Sequence, residues 1–208
     1  MKRNKGFIIG VYTLPVLITF MGVFCAFSAC IMAWQKNFAY AIVLFMLAGT
    51  FDLFDGVVAR KSKRTQMQKQ FGIQIDSLAD VCSFGVTPIV LGIFLGMNTV
   101  FDFMIMGLYL GAALMRLAYF NCQAIQEEGR VSYYTGLPVT YSTILLPIVI
   151  VIAYLLTGEF CLWILRTAYI IIAILFVLKI KLPKPKGIWY VIFPALTIVW
   201  AVVTILIL

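Results

Sequence analysis

The sequence predicts an all-α integral membrane protein, with a six-helix transmembrane core and a seventh, C-terminal transmembrane helix. Three observations predict it. Hydrophobic residues fill 63% of the 208 positions, with a mean hydropathy of +1.05, against about 45–50% apolar residues in soluble domains. The apolar residues gather into runs near the 20 or so needed to cross a bilayer. Basic residues are concentrated in alternate connections between those runs.

Seven spans follow in order, at roughly 8–34, 38–59, 71–97, 100–121, 138–157, 160–179 and 188–208. The first ends at Gln35-Lys36-Asn37, a polar turn short enough to join antiparallel neighbours. It is too long for a signal-peptide core and lacks a small-residue cleavage site, so a secretory signal is not expected. The second span leads into a basic connection holding Arg60, Lys61, Lys63, Arg64 and Lys69. Met97-Asn98-Thr99 separates the third span from the fourth, and Thr157-Gly158-Glu159 the fifth from the sixth. The stretch from Lys179 to Gly187, with Pro183 and Pro185, is the nearest thing to a linker. It leaves the last span reading as an addition to a core of about residues 1–180. Residues 1–208 are expected to form one domain, since no repeat, low-complexity tract or flexible linker divides them.

The net charge is +8, from 16 Lys/Arg against 8 Asp/Glu. Fourteen of the sixteen basic residues fall on one predicted side: Lys2, Arg3 and Lys5, the 60–69 cluster, Arg116, Arg130, and Lys179, Lys181, Lys184 and Lys186. Lys36 and Arg166 stand on the other. That asymmetry places the N-terminus in the cytoplasm and argues against nucleic acid as the partner of this positive charge. Cys25, Cys30, Cys82, Cys122 and Cys161 form no Cys-x-x-Cys pair and there is no histidine. A zinc site is therefore not expected, and the cysteines read as small packing residues. Without histidine, a general base is expected to be a carboxylate.

Four of the eight acidic residues, Asp52, Asp55, Asp76 and Asp80, occupy 29 positions. Asp52 and Asp55 are three apart and Asp76 and Asp80 four apart, so each pair shares a helical face. Two adjacent helices can thus aim four carboxylates at one point. Left unpaired, such a cluster loses hydration at several kcal/mol per ion; one or two hard divalent cations would resolve it. Carboxylates within a membrane span are functional by default. Helix capping or pairing with Arg60 explains one such aspartate easily, but not all four at these spacings. Gly56 and Gly72 flank the pairs, where a missing side chain permits close approach of a ligand or helix. Arg60, one turn beyond Gly56, can fork onto a phosphate or simply anchor the span at its cytoplasmic end.

The pattern Asp-x-x-Asp-Gly-x-x-Ala-Arg, then Gly-x-x-x-Asp-x-x-x-Asp, resembles the signature of the CDP-alcohol phosphotransferase family. All eight fixed positions are present: Asp52, Asp55, Gly56, Ala59, Arg60, Gly72, Asp76 and Asp80. The spacer from Lys61 to Phe71 has eleven residues where the family pattern has eight, which is expected to lengthen a cytoplasmic loop. The resemblance implies a six-helix core, Mg²⁺ or Mn²⁺ held by Asp52, Asp55, Asp76 and Asp80, and a CDP-lipid bound by Gly56, Ala59, Arg60 and Gly72. It implies Asp80 as the general base, and a homodimer.

Three stretches resemble the phosphatidylserine synthase branch: Phe71 to Pro88, Arg116-Leu117-Ala118-Tyr119-Phe120-Asn121, and Gly136-Leu137-Pro138. Ser77 and Val81 stand where glycerophosphate-using relatives usually carry proline and lysine. The branch implies CDP-diacylglycerol and L-serine as substrates. A serine carboxylate calls for a cation, and Arg116 is the candidate, unless it serves only as a snorkelling anchor, with Asn121 and Tyr133-Tyr134-Thr135 as hydrogen-bonding neighbours. The competing readings are a sister transferase using glycerol 3-phosphate or inositol, and a cation or proton transporter. Transporters often carry inverted repeats, and none is visible. A multi-pass protein of the cell's inner membrane, with its site on the cytoplasmic side, is the expected location.

Overall fold

The computed structural model describes residues 10–126, 133–156, 160–183 and 189–207. Lys2, Arg3, Lys5, Arg130, Lys184, Lys186 and the turn at 157–159 lie outside the described residues. Among the described residues, seven helical rods correspond to the seven expected spans. They are α1 (Leu14–Trp34), α2 (Phe38–Lys61), α3 (Gln66–Phe94), α4 (Val100–Gln126), α5 (Ser142–Leu155), α6 (Phe160–Val177) and α7 (Trp189–Ile207). Five of them, α1–α4 and α6, are long and apolar enough to cross a membrane. The apolar segments Val139–Leu155 and Ile192–Ile207 are shorter. At 1.5 Å per residue the 21 residues of α1 span about 31 Å, the thickness of a hydrocarbon core. Large apolar side chains point outward, Phe24 at 70% exposure and Leu206 at 80%, as a lipid-facing surface requires. The chain is a multi-pass membrane protein.

Small residues bring α1 and α2 together. Gly22, Ala26, Ala29 and Ala33 of α1 are buried, as are Ala41, Ala48 and Gly49 of α2. Helices in lipid gain close van der Waals contact where side chains are small. The predicted polar turn joins them, with Lys36 in the left-handed region at φ 59° and Asn37 N–H donating to Met32 O. α2 also packs on α5 and α7, α1 on α3, and α6 on α4 and α5.

α3 departs from the expected boundaries. It starts at Gln66, five residues before the predicted 71, because of a reciprocal cap. Thr65 Oγ1 accepts from Gln68 N–H, and Gln68 Oε1 accepts from Thr65 N–H at 2.9 Å. This corrects the reading of the long spacer. Lys61 still belongs to α2 and 66–71 to α3, so only residues 62–65 are non-helical. The added length extends a helix instead of a loop, since the cap supplies a start signal that hydropathy does not register.

Further along α3, Val81–Val86 winds as a π-turn, of the kind that often marks functional sites. Tyr109 of α4 donates to Phe84 O at 2.8 Å, and Tyr169 of α6 donates to Pro88 O. Both tyrosines are fully buried, their rings 5.2 Å apart, tying the rod that carries Asp76 and Asp80 to α4 and α6. The helical expectation is met apart from a short antiparallel ribbon, β1 (Tyr133–Thr135) and β2 (Lys181–Pro183), with Thr135 opposite Lys181.

Candidate active site

Asp52 and Asp55 lie in the C-terminal half of α2, and Asp76 and Asp80 in the middle of α3. They face a cavity of about 240 Å³ lined also by Leu53, Gly56, Arg60, Arg116, Leu117, Phe120, Pro138, Val139, Thr140 and Tyr190. Carboxylate oxygens of Asp52, Asp76 and Asp80 all come within 4.8 Å of one another. Asp55 stands outside that triad but lines the same cavity. It is 5% exposed and accepts a hydrogen bond from Thr19 Oγ1 of α1 at 2.5 Å.

Pairing with basic side chains does not account for the whole cluster. The one ion pair between described residues, Asp102 with Arg166, lies elsewhere, Arg60 donates to the Tyr190 hydroxyl at 2.8 Å, and the charge of Arg64 acts on Asp76 without a direct ion pair. Three convergent carboxylates that make no direct ion pair among the described residues form a donor set suited to a hard divalent ion.

Of the residues expected to meet the donor, Gly56 and Arg60 line the cavity, whereas Ala59 and Gly72 are not among its lining residues. A Cβ at Gly72 would meet Arg64 Nη1 at 3.2 Å, so this glycine makes room for a guanidinium. On the acceptor side, Arg116 lines the cavity and is 5% exposed. Its Nε donates to Leu137 O at 3.1 Å and its guanidinium lies 5.4 Å from the Phe120 ring centre. Asn121 does not line the cavity. Its amide donates to Ser77 Oγ at 2.7 Å, bridging α4 to α3. The backbone of Tyr133–Thr135 forms β1, and the side chains of these three residues lie outside what is described.

The Gly136-Leu137-Pro138 stretch has a clear local reason. Gly136 adopts φ +83°, and a Cβ there would come within 2.8 Å of Phe176 O; glycine tolerates both conditions. Gly136 N–H donates to Ile180 O and Leu137 N–H to Leu175 O. The chain is thereby pinned to the end of α6, its Leu137 carbonyl meets Arg116, and Pro138 and Thr140 enter the cavity wall.

Two polar cavity residues were absent from the expected set. Thr140 donates to Asp52 Oδ2 at 2.8 Å across 88 positions of sequence, and Tyr190 meets Arg60 across 130. No periodicity links residues so far apart. The Gly-Leu-Pro motif just before Thr140 was the nearest available signal.

The family model for CDP-alcohol phosphatidyltransferases matches residues 12–206. This chain belongs to that family. Curated relatives of the chain include the CDP-diacylglycerol–serine O-phosphatidyltransferase of Saccharomyces cerevisiae, 40% identical over 100 residues. That match covers 45% of this chain and 35% of the yeast protein. The archaetidylserine synthase of Methanothermobacter thermautotrophicus is 30% identical over 181 residues, 84% of this chain and 71% of that protein. The Bacillus subtilis CDP-diacylglycerol–serine O-phosphatidyltransferase is 30% identical over 132 residues, 62% of this chain and 70% of its own length. The chain thus spans about a third of the yeast relative's length and some seven-tenths of the other two.

Proposed function

We propose that this protein moves the phosphatidyl group of CDP-diacylglycerol to the hydroxyl of L-serine, giving phosphatidylserine and CMP. The observation that carries the reading is the convergence of Asp52, Asp76 and Asp80 in a cavity that also holds Arg60 and Arg116. The serine acceptor is supported by the relatives' names, which share serine while the named lipid differs.

The donor's acyl chains remain in lipid and its head group enters the cavity. Arg60, with the open backbone at Gly56, receives the phosphates. Asp52, Asp76 and Asp80, with Asp55 beside them, would hold Mg²⁺ or Mn²⁺; when bound, such an ion neutralises charge on the phosphoryl oxygens. Arg116 pairs with the serine carboxylate and orients the hydroxyl toward the lipid-side phosphorus. Asp80 accepts the hydroxyl proton as the oxygen attacks and CMP departs. The basic residues 60–69 support a cytoplasmic site in the inner membrane. Labelling of a cysteine placed at Ser62 by an impermeant reagent checks that side, and cross-linking in membranes checks the expected homodimer.

The decisive assay offers purified protein CDP-diacylglycerol with serine, glycerol 3-phosphate or inositol, and measures CMP. Serine-dependent CMP release, stopped by EDTA and restored by Mg²⁺ or Mn²⁺, is expected. Release that responds to glycerol 3-phosphate and ignores serine would overturn the acceptor. Full activity without divalent metal would overturn the role given to the aspartates.

A further inference from the structure

α7 read from the sequence as an addition to a six-helix core, yet it is built into the wall of the site. It packs against α2, the helix carrying Asp52 and Asp55. Thr50 and Thr197 hydroxyls are 3.3 Å apart, and the Phe193 ring stands edge-on to Tyr141 with centres 5.5 Å apart. This docking brings Tyr190, in the first turn of α7, to the cavity that Asp52, Asp76 and Asp80 line. There its hydroxyl accepts from Arg60 Nη2 at 2.8 Å, and Arg60 Cζ lies 5.7 Å from its ring centre.

Arg60 occupies the last turn of α2, where a long side chain with many rotamers is costly to hold in one place. A guanidinium is planar, with donors in a fixed fork, and binds phosphate well only when that plane is correctly turned. The Tyr190 hydroxyl engages one nitrogen, and the guanidinium lies within cation–π range of the ring.

We propose that Tyr190 is a positioning residue for the donor. It holds Arg60 in the orientation that receives the phosphates of a nucleotide-linked lipid, which makes α7 part of the donor site. The inference rests on the reading of the cavity as a CDP-lipid site, but not on the choice of acceptor.

The test compares wild type, Tyr190→Phe and Tyr190→Ala in mixed micelles, reading donor KM, serine KM and kcat from CMP release. CDP-diacylglycerol binding is measured separately without acceptor. Loss of a hydrogen bond to a charged group at an open site is expected to raise the donor KM and weaken donor binding about three- to tenfold in Tyr190→Phe. Serine KM and kcat should shift less than twofold, a split that loose folding would not produce. Tyr190→Ala, which also loses the ring, should be weaker still; if it does not fold, the Phe variant carries the test. In an Arg60→Lys background, Tyr190→Phe should add little. Donor KM and binding equal to wild type in Tyr190→Phe, or the same loss with and without Arg60, would overturn the proposal. Wild-type binding of CDP-diacylglycerol without serine turnover would sink the acceptor assignment alone and leave this test intact. No donor binding by wild type would sink both.

Discussion

Thr140→Val isolates one contact of the site. Thr140 sits in the 3₁₀ turn Val139–Tyr141 that leads into α5. Its carbonyl accepts from Thr143 Oγ1 and that of Val139 from Ser142 Oγ, both at 2.7 Å, so the turn is held independently of the Thr140 side chain. The Thr140 hydroxyl donates to Asp52 Oδ2 at 2.8 Å and fixes that carboxylate within the triad. Valine keeps the branched shape and removes the donor. A hydrogen bond to a charged group is worth about 1.5–3 kcal/mol, and about 1.4 kcal/mol is a factor of ten. The limits are therefore about 10- and 150-fold in kcat/KM. Water in the open cavity can replace part of the lost bond, which places the expectation near tenfold. The assay is CMP release from CDP-diacylglycerol and serine across a Mg²⁺ titration, and the half-saturating Mg²⁺ concentration should rise as well. Thr140→Ser, which retains the hydroxyl, should remain close to wild type. A Thr140→Val enzyme within twofold of wild type, with unchanged Mg²⁺ dependence, would refute the claim that Thr140 holds Asp52.

Asp80→Asn should lower kcat by at least about 100-fold, as expected for loss of a general base; near-normal turnover would remove that assignment. Gly49→Ala places a Cβ 2.9 Å from Thr143 Cβ and Cγ2, so α2 and α5 must separate. A loss of about 1–3 kcal/mol is expected, read as a lower unfolding temperature in detergent. Gly136→Ala forces alanine to φ +83° and against Phe176 O. The strain, about 1–2 kcal/mol or more, should lower stability and, by shifting the Leu137 carbonyl, raise the KM for serine through Arg116. Asp102→Asn breaks a buried pair in which Asp102 is fully enclosed and Arg166 reaches both carboxylate oxygens. A cost of about 3–5 kcal/mol is expected, with the donor KM of the folded fraction unchanged.

The first of the paired acidic motifs lies in the C-terminal half of α2, the second in the middle of α3, and the spacing of each pair was readable because helical neighbours recur every three or four residues. The spans were readable for an equally local reason: a run of apolar side chains specifies its own solvent. The start of α3 was missed although Thr65 and Gln68 spell it out, because a cap signal in a polar stretch is invisible to a hydropathy reading. Arg166, counted only as a stray charge outside the basic side, is the partner of Asp102.

By itself the sequence determined the helices and which face of α2 and of α3 carries acid, since each follows from residues within a turn or two of one another. Only the tertiary structure decided that Thr140 braces Asp52, that Arg116 meets the Leu137 carbonyl, and that α7 supplies Tyr190 to Arg60. Those contacts depend on how rods of near-uniform greasiness pack side by side. Packing in lipid is set by small residues and a few polar bonds whose partners lie tens of positions away in the chain.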